Sequence, residues 1–307
     1  MTEKPYGLTS TGRFSPLRYP GGKGKVAKFV ASVVRANGLS DGTYVEPYAG
    51  GCAVAWELLL TGVVRRVEVN DISRPIYAFW DAVLNHTDEL CRKISDTPVD
   101  IDNWVRAKNI FSSQSEHDDF EVGFAMFYLN RTNRSGILNG GIIGGRNQTG
   151  KWKIDARFNK QDLLERITRI ASMRNRITLT NMDAVALIEA KEAVWSSKKV
   201  LVYLDPPYYV KGGQLYYDFY GHGDHAAVAS SVTGMKDVKW MVSYDDAPEI
   251  HDLYTGEAWL RYSIGYSARD HGVGSEAMFF SPSLQVPALE GSMIEVARAP
   301  GLADIVV

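Results

Sequence analysis

The sequence contains only two cysteines, Cys52 and Cys91, among its 307 residues. Two thiols cannot by themselves form a disulfide framework or a four-ligand zinc site, so we expect small buried side chains at both positions. No run approaches the roughly 18 apolar residues of a membrane span, and the polar start of the chain lacks the layout of a signal peptide. These absences predict a cytoplasmic protein that does not contact a membrane.

A strong excess of one charge is also missing, since the net charge is −2 and the pI is about 6.3. Averaged over the chain, this balance argues against nucleic-acid binding. The basic residues are concentrated, however: eleven of them and only three acidic residues lie between Arg131 and Arg176, a local net charge of +8. Phosphate contacts depend on such local concentration. The segment is therefore a candidate polyanion-binding face, with a solvated basic surface as the alternative.

The beginning of the chain alternates between strand and helix patterns. The apolar run Thr43–Pro47 leads through Gly50 and Gly51 into the helical pattern AVAWELLL, and Arg66–Asn70 leads into a second helical pattern. Two successive strand-to-helix units predict a parallel sheet covered by helices.

From about residue 86 to 175 no comparable strand appears. Helical patterns around 101–110 and 120–129 precede a long loop rich in Gly, Asn and Arg, and another helix follows it. A loop of this length inside a domain is usually functional or disordered, and its interleaved Ile, Leu and Trp favour function. The strand pattern resumes at 176–180, 199–204, 238–243 and 277–281, so the middle of the chain is interpreted as an insertion.

The strongest chemical signal is Asp205-Pro206-Pro207-Tyr208, which follows the apolar strand VLVYL directly. Ligands of open α/β sheets bind at the carboxyl ends of strands. The two prolines fix the direction of backbone carbonyls, Asp205 adds a second acceptor, and Tyr208 adds a flat ring. This combination suits the exocyclic amino group of a planar base, whereas a simple turn that ends a strand is the alternative.

Two further sites precede it. Glu46 and Gly50 lie on the first strand-to-helix turn, and Asp71 ends the next strand about twenty residues later, where an acidic side chain commonly binds ribose hydroxyls. The stretch RYPGGKGK is not a phosphate loop, because Tyr19 replaces the first required glycine and Val26 the required Ser or Thr.

The ordered set RYPGGK, EPYAGG, VNDIS, a long insertion and DPPY resembles the Dam-like, α-group DNA adenine-N6 methyltransferases. The likeness extends from about Leu17 to Ser281 and includes FYLNRTNRSGI and SYDDAPEI. It implies a Rossmann-like, S-adenosylmethionine-dependent α/β fold with a seven-stranded mixed sheet. The catalytic domain is expected at residues 1–85 and 176–307, and an inserted, mainly helical target-recognition domain at 86–175.

The resemblance also implies roles for individual residues. It implies methyl transfer to the N6 amino group of a flipped-out adenine in double-stranded DNA, with Asp205, Pro206, Pro207 and Tyr208 as catalytic residues. The cofactor residues that it implies are Tyr19, Lys23, Glu46, Tyr48, Gly50, Asp71, Asp183 and Asp205. A surface lysine is the alternative for Lys23, and a helix N-cap is the alternative for Asp183.

Candidate DNA contacts lie in the insertion. Arg reads guanine and Asn reads adenine in the major groove, so Arg131, Asn133, Arg134 and Ser135 are candidate base-reading residues, with phosphate contact as the alternative for each Arg. We assign Arg146, Lys151, Lys153 and Arg157 to phosphates. No metal is needed for a neutral thioether leaving group, and His222-Gly-Asp-His225 without a further ligand is more typical of a loop and helix cap.

One position departs from the family pattern. The cofactor turn often ends in a glycine where this sequence has Cys52, so a requirement for positive φ would fall on a cysteine. We expect Gly50 and Gly51 to suffice, and neither cysteine follows proline as in cytosine methyltransferases.

Rival functions remain open from the sequence. They are a methyltransferase acting on RNA or on a protein glutamine, and a DNA-binding regulator that has lost activity. A cognate restriction enzyme is a candidate partner, and we expect a monomer or weak dimer. The recognition sequence does not follow from these motifs.

Overall fold

The computed structural model describes residues 14–18, 23–210, 220–264, 275–289 and 293–300, with only the backbone of Lys23 and Ile264. The helices of this part of the chain are α1 (Ala27–Ala36), α2 (Ala53–Leu60), α3 (Arg74–Asn85), α4 (Thr87–Asp96), α5 (Ile101–Ser112), α6 (Asp119–Thr132), α7 (Lys160–Ala171), α8 (Ala184–Ser196), α9 (His222–Gly234) and α10 (Pro248–Leu253). The strands are β1 (Thr43–Glu46), β2 (Arg66–Asn70), β3 (Ile177–Thr180), β4 (Val200–Leu204), β5 (Lys239–Asp245), β6 (Ala258–Ile264), β7 (Ser275–Phe280) and β8 (Met293–Arg298).

These strands form one mixed sheet in the order β3-β2-β1-β4-β5-β7-β6-β8. The first five are parallel, β7 runs antiparallel to both β5 and β6, and β8 is antiparallel to β6. The predicted α/β architecture is confirmed, but the expected count of seven strands is wrong, because β8 adds an eighth to the described sheet. Its weak apolar pattern, with Ile294 and Val296 exposed, is that of an edge strand with one neighbour.

The sheet reverses its strand order at β1. From β1 the chain proceeds outward to β2, whereas β4 pairs on the other side of β1. The loops that follow β1 and β4 therefore diverge at the carboxyl edge, and a crevice opens between them. This reversal places the turn after Glu46 beside the segment that begins at Asp205.

Residues 86–175 hold α4 to α7 and contain no strand, as the sequence predicts. Helix α6 is buried almost throughout and packs on α3, where a Cβ built on Gly123 would lie 2.6 Å from the backbone of Ala78. The rings of Phe79 and Phe127 stack with centroids 5.2 Å apart. Helices of the insertion thus share an apolar core with the sheet's first helices, and the division into domains at residues 86 and 175 stays a prediction.

The described helices are also short relative to a lipid bilayer. None of them combines the length and the hydropathy needed to cross a membrane.

Candidate active site

The acidic candidate residues lie together at the carboxyl edge of the parallel strands. Glu46 ends β1, Asp71 follows β2, Asp183 lies three residues beyond β3, and Asp205 follows β4 directly. Parallel strands end on the same side of a sheet, so one edge carries all four carboxylates.

The carboxylate of Asp205 is held from the neighbouring strand. The Ser243 hydroxyl on β5 donates to Oδ1 of Asp205 over 2.9 Å, and the Tyr203 hydroxyl on β4 lies 2.9 Å from the Ser243 oxygen. Tyr203 and Ser243 are both fully buried. This buried chain of hydroxyls fixes the orientation of the Asp205 side chain.

Tyr208 is anchored through its hydroxyl rather than exposed as an isolated ring. The ring is 7% exposed, and its hydroxyl donates to Oε1 of Glu276 on β7 over 2.9 Å. The Tyr262 hydroxyl on β6 donates to the other carboxylate oxygen over 2.7 Å. Strands β6 and β7 therefore fix the position of the Tyr208 ring.

A second carboxylate holds the backbone just beyond Tyr208. Asp245 accepts the N–H groups of Tyr209 and Val210 over 2.7 and 2.9 Å. Asp245 and Glu276 are directly opposite each other in the β5–β7 ladder, an arrangement that is destabilising for two like charges. The donors from residues 208–210 offset this repulsion, so the two acids together form a carboxylate brace for that segment.

No role was predicted from the sequence for Tyr203, Ser243, Asp245 or Glu276. A signal was present, since Ser243 and Asp245 are two residues apart on a strand and share one face, and Glu276 interrupts an apolar strand. Only the pairing of β5 with β4 and β7 brings these side chains to residues 205–210.

The neighbouring Asp246 contacts side chains of three elements, α10, β7 and β6. It contacts His251 Nε2 on α10 over 2.9 Å, accepts from the Ser275 hydroxyl over 3.0 Å and pairs with Arg261 over 2.7 Å. Burial opposes its ionisation, but these hydrogen bonds and the guanidinium outweigh it and lower the pKa of Asp246.

Glu46 is the most deeply buried of the four acids at the edge. Tyr44 donates to its Oε1 over 3.1 Å, whereas its Oε2 has no hydrogen-bond partner among the described residues. Burial, aided by the negative charges of Asp205 and Asp71, raises the pKa of Glu46 well above its usual value, although the Tyr44 hydrogen bond opposes this shift. An orphaned buried oxygen at a crevice is a fitting contact for a polar ligand.

The turn after β1 is tied to the turn after β2 by Asp71. Its carboxylate accepts from the N–H of Gly50 over 2.8 Å and from the N–H of Ser73 over 2.9 Å. Gly50 has a φ of 46°, which glycine adopts without strain. Asp71 thus shapes the turn after β1, while its contact with ribose hydroxyls stays a prediction.

Cys52 takes the left-handed conformation at the position where the family often has glycine. Its φ is 49° and its ψ is 32°, so the requirement for positive φ is real and this turn meets it with a strained cysteine. The side chain is buried and burial raises the pKa of the thiol well above its ordinary value. A nucleophilic cysteine has a lowered thiol pKa, so Cys52 does not lie in the environment of a nucleophile.

Two other predicted cofactor residues lie around this turn. Tyr48 is half-buried beside Tyr220, whose hydroxyl donates to that of Tyr48 over 3.3 Å. Asp183 is exposed and caps α8, accepting from the N–H groups of Val185 and Ala186. The capping role that the sequence left open for Asp183 is therefore present.

The motif RYPGGK is described only at its two ends. Tyr19 lies outside the described residues, and Lys23 begins a short 3-10 helix before α1. Asn130 of α6 accepts from the Arg18 N–H over 2.8 Å and donates to its carbonyl over 2.7 Å. A Cβ on Gly136, whose φ is 78°, would lie 2.4 Å from the same carbonyl. The insertion thus holds the start of this motif.

Two of the predicted DNA contacts are taken up by hydrogen bonds within the protein, one by a buried and one by a half-buried side chain. The amide of Asn133, fully buried, accepts from Trp104 Nε1 over 2.7 Å and donates to the carbonyls of Ile137 and Leu138, each over 2.9 Å. Arg131 donates to the carbonyls of Pro16 and Arg157. Burial, together with nearby arginines, lowers the pKa of Arg131 to about 9. Base reading by Asn133 would require these hydrogen bonds to break.

The other predicted contacts are exposed on one loop, residues 134–157, which we call the basic loop. Its exposed candidates are Arg134, Ser135, Arg146, Lys151, Lys153 and Arg157. Ser135 has a φ of 56°, a left-handed conformation uncommon for serine.

The histidine pair belongs to α9. His222 begins this helix and His225 is buried against Tyr244, with Nδ1 3.4 Å from its hydroxyl, while Asp224 accepts the N–H of Gly221 at the helix start. His271 lies outside the described residues. Within the described ranges no group of three or more His, Cys, Asp or Glu side chains could hold a metal ion.

Comparisons with known proteins found similar chains. The chain is 24% identical over 206 residues to the Type II methyltransferase M.MjaIII of Methanocaldococcus jannaschii. This match covers 62% of this chain and 68% of that protein. Among solved structures it is similar to the rRNA methyltransferase aviRa of Streptomyces viridochromogenes, with 12% identity, 86% of each chain covered and a TM-score of 0.35.

Residues 19–266 match the family described as D12 class N6 adenine-specific DNA methyltransferase. The match includes the cofactor turn, the insertion and Asp205–Tyr208, so it confirms the resemblance seen in the sequence. It also agrees with the mixed sheet and its covering helices, which form a methyltransferase-like α/β fold. Because the match extends over most of the chain, the protein belongs to the D12 class family of N6 adenine-specific DNA methyltransferases.

Proposed function

We propose that this enzyme methylates N6 of an adenine within one short sequence of double-stranded DNA, with S-adenosylmethionine as the methyl donor. The observation that carries the proposal is the set of contacts around Asp205–Tyr208. This segment lies at the strand-order reversal of the sheet. Ser243 and Glu276 hold it there, and Asp245 holds the two residues that follow it.

The chemistry of the amino group explains why such rigid acceptors are useful. The lone pair of adenine N6 is delocalised into the ring, so the nitrogen is a weak nucleophile. Asp205 and the carbonyl of Pro206 would accept its two hydrogens and favour a pyramidal nitrogen. Pro207 fixes the backbone, and the tethered ring of Tyr208 would stack on the base.

The residues at the carboxyl edge fit a nucleoside cofactor. When bound, S-adenosylmethionine supplies the electrophilic methyl group. The orphaned Oε2 of Glu46 and the glycine turn at Gly50 are suited to polar and close backbone contacts with such a ligand. The residues that we propose to hold it are Tyr19, Lys23, Glu46, Tyr48, Gly50, Asp71, Asp183 and Asp205.

DNA would be held by the insertion, residues 86–175, acting as the target-recognition domain. The base must leave the duplex to be methylated, at a cost of a few kcal/mol that phosphate contacts can offset. We assign Arg134, Ser135, Arg146, Lys151, Lys153 and Arg157 to direct DNA contact because they are exposed. Arg131 and Asn133 instead order the loop, since their polar groups are hydrogen-bonded to groups of the protein.

The remaining parts of the proposal concern the enzyme's setting. We propose a cytoplasmic enzyme that acts as a monomer or weak dimer, with a cognate restriction enzyme as a candidate partner. The relative M.MjaIII carries the name of a Type II methyltransferase, which supports sequence-specific modification.

The experiment is long-read modification sequencing of unmethylated plasmid DNA after treatment with purified protein and S-adenosylmethionine. Asp205→Ala tests the site, and Asp237→Ala, an exposed aspartate just before β5, is the matched control. We expect N6-methyladenine in one short motif with the wild type and the control, and none with Asp205→Ala. DNA binding should survive in Asp205→Ala. Methylation of RNA or of a protein glutamine in place of DNA would refute the assignment.

A further inference from the structure

The basic loop presents an aromatic side chain to solvent. Trp152 is the one aromatic residue in the described ranges whose side chain is mainly exposed, at 61%. Ile142 and Ile154 of the same loop are buried in the core. Apolar residues of this loop can therefore reach the interior, and the exposure of Trp152 is a property of the position rather than of a loosely packed segment.

The backbone around Trp152 is held by one glutamine. The Gln148 amide donates to the carbonyls of Ile143 and Gly145 over 2.8 and 2.7 Å, and its oxygen accepts from the Ile154 N–H over 2.8 Å. A Cβ on Gly144 would lie 2.7 Å from the Trp152 carbonyl. The two halves of the loop are thus held together next to Trp152, which reduces the entropy lost if a ligand contacts it.

The loop that carries the indole is rich in cations, one of which lies close to the ring. Lys151 Nζ lies 5.6 Å from its ring centroid, and Arg146, Lys153 and Arg157 are exposed on the same loop, with Asp155 as its single acidic residue. A flat aromatic face among cations is complementary to a ligand that carries both phosphates and planar rings. Nucleic-acid proteins use this combination, with stacking for bases and cations for the backbone.

We propose that Trp152 is a base-stacking contact of the bound DNA, which the cations of the basic loop position through the phosphates. The proposal rests on the proposed function and adds to it a contact whose energy is not electrostatic. Stacking of this kind does not release counterions, so its contribution should persist as the salt concentration rises.

The test is duplex binding across a series of salt concentrations, in the Asp205→Ala background to prevent turnover. The variants are Trp152→Ala, Trp152→Phe, Lys151→Ala and, as an exposed apolar control on α8, Val194→Ala. We expect Trp152→Ala to bind roughly 5- to 100-fold more weakly with an unchanged salt slope, and Trp152→Phe to retain most of the affinity. Lys151→Ala should reduce the slope by about one phosphate contact, and Val194→Ala should match the parent.

The Trp152 variants should have the same unfolding midpoint as the parent, because the Trp152 side chain is exposed. The stacking contact is overturned if Trp152→Ala binds DNA as tightly as the parent does. It is also overturned if Trp152→Ala loses affinity with the same change of salt slope as Lys151→Ala. In both cases DNA methylation by the wild type would still support the proposed function. If the wild type itself neither binds nor methylates duplex DNA, both the proposed function and this contact are wrong.

Discussion

Replacement of Glu276 tests the carboxylate brace directly. Its two oxygens accept from Tyr208 and Tyr262 over 2.9 and 2.7 Å in a buried setting. Hydrogen bonds to a charged group contribute about 1.5–3 kcal/mol each, so Glu276→Ala should lower the free energy of unfolding by about 3 kcal/mol or more. Glu276→Gln keeps a hydrogen-bond partner for both hydroxyls and relieves the repulsion with Asp245. We therefore expect this variant to lower the free energy of unfolding by only about 1 kcal/mol.

Activity should fall by more than stability alone explains. Without the brace the Tyr208 ring is no longer fixed, and small misplacements of a positioning group cost roughly 10- to 100-fold in rate. Single-turnover methylation, at a temperature where each variant is fully folded, should therefore be slower in Glu276→Ala than in Glu276→Gln. Urea unfolding gives the stability term separately.

Glu249→Gln provides the matched control, because Glu249 is exposed on α10. It should change neither the unfolding midpoint nor the rate. If Glu276→Ala unfolds at the urea concentration of the wild type, or methylates DNA at the wild-type rate, then the contacts of Glu276 do not position the site and the reasoning from burial is refuted.

Three further predictions follow from the backbone and from Asp246. Gly136→Ala should destabilise by about 2 kcal/mol, because it adds left-handed strain and places a Cβ against the Arg18 carbonyl; Gly141→Ala, whose Cβ would meet nothing within 4 Å, should be nearly neutral in the same urea titration. Cys52→Gly should be more stable than Cys52→Ala by about 1 kcal/mol despite its smaller side chain, since only glycine relieves the positive φ; equal midpoints would contradict this. Asp246→Asn should lose stability at pH 7, and because the pKa of Asp246 is lowered on folding, the difference from wild type should shrink as the pH falls below about 4.

The order of elements and the position of the site could be predicted from local patterns. Strand β1 ends in an acidic residue, and an acidic residue directly follows β2 and β4. Parallel strands bring such ends to one edge of the sheet. The position of Asp205, Glu46 and Asp71 at one edge was therefore expected from the sequence, while their roles stay predictions. The absence of strands in residues 86–175 was likewise visible as a missing pattern.

Edge elements were harder to predict. Strand β8 has one sheet neighbour and two exposed apolar residues, so its sequence carries little of the alternation that marks a half-buried strand. Its existence depends on pairing with β6 rather than on its own pattern. The expected count of seven strands came from the family resemblance, and the local patterns identified neither β6 nor β8.

Only the tertiary structure decided which polar residues face the site and which face the interior. Asn133 lies just after α6 and is of a residue type that can read adenine. Its amide oxygen nevertheless accepts a hydrogen bond from Trp104, which lies on a helix earlier in the chain. Ser243 and Glu276 belong to strands far along the chain and reach residues 205–208 through sheet pairing. The sequence determined which chemistry is present and at which strand ends, because those signals are local. Which groups contact one another depended on packing between distant segments, which no local pattern encodes.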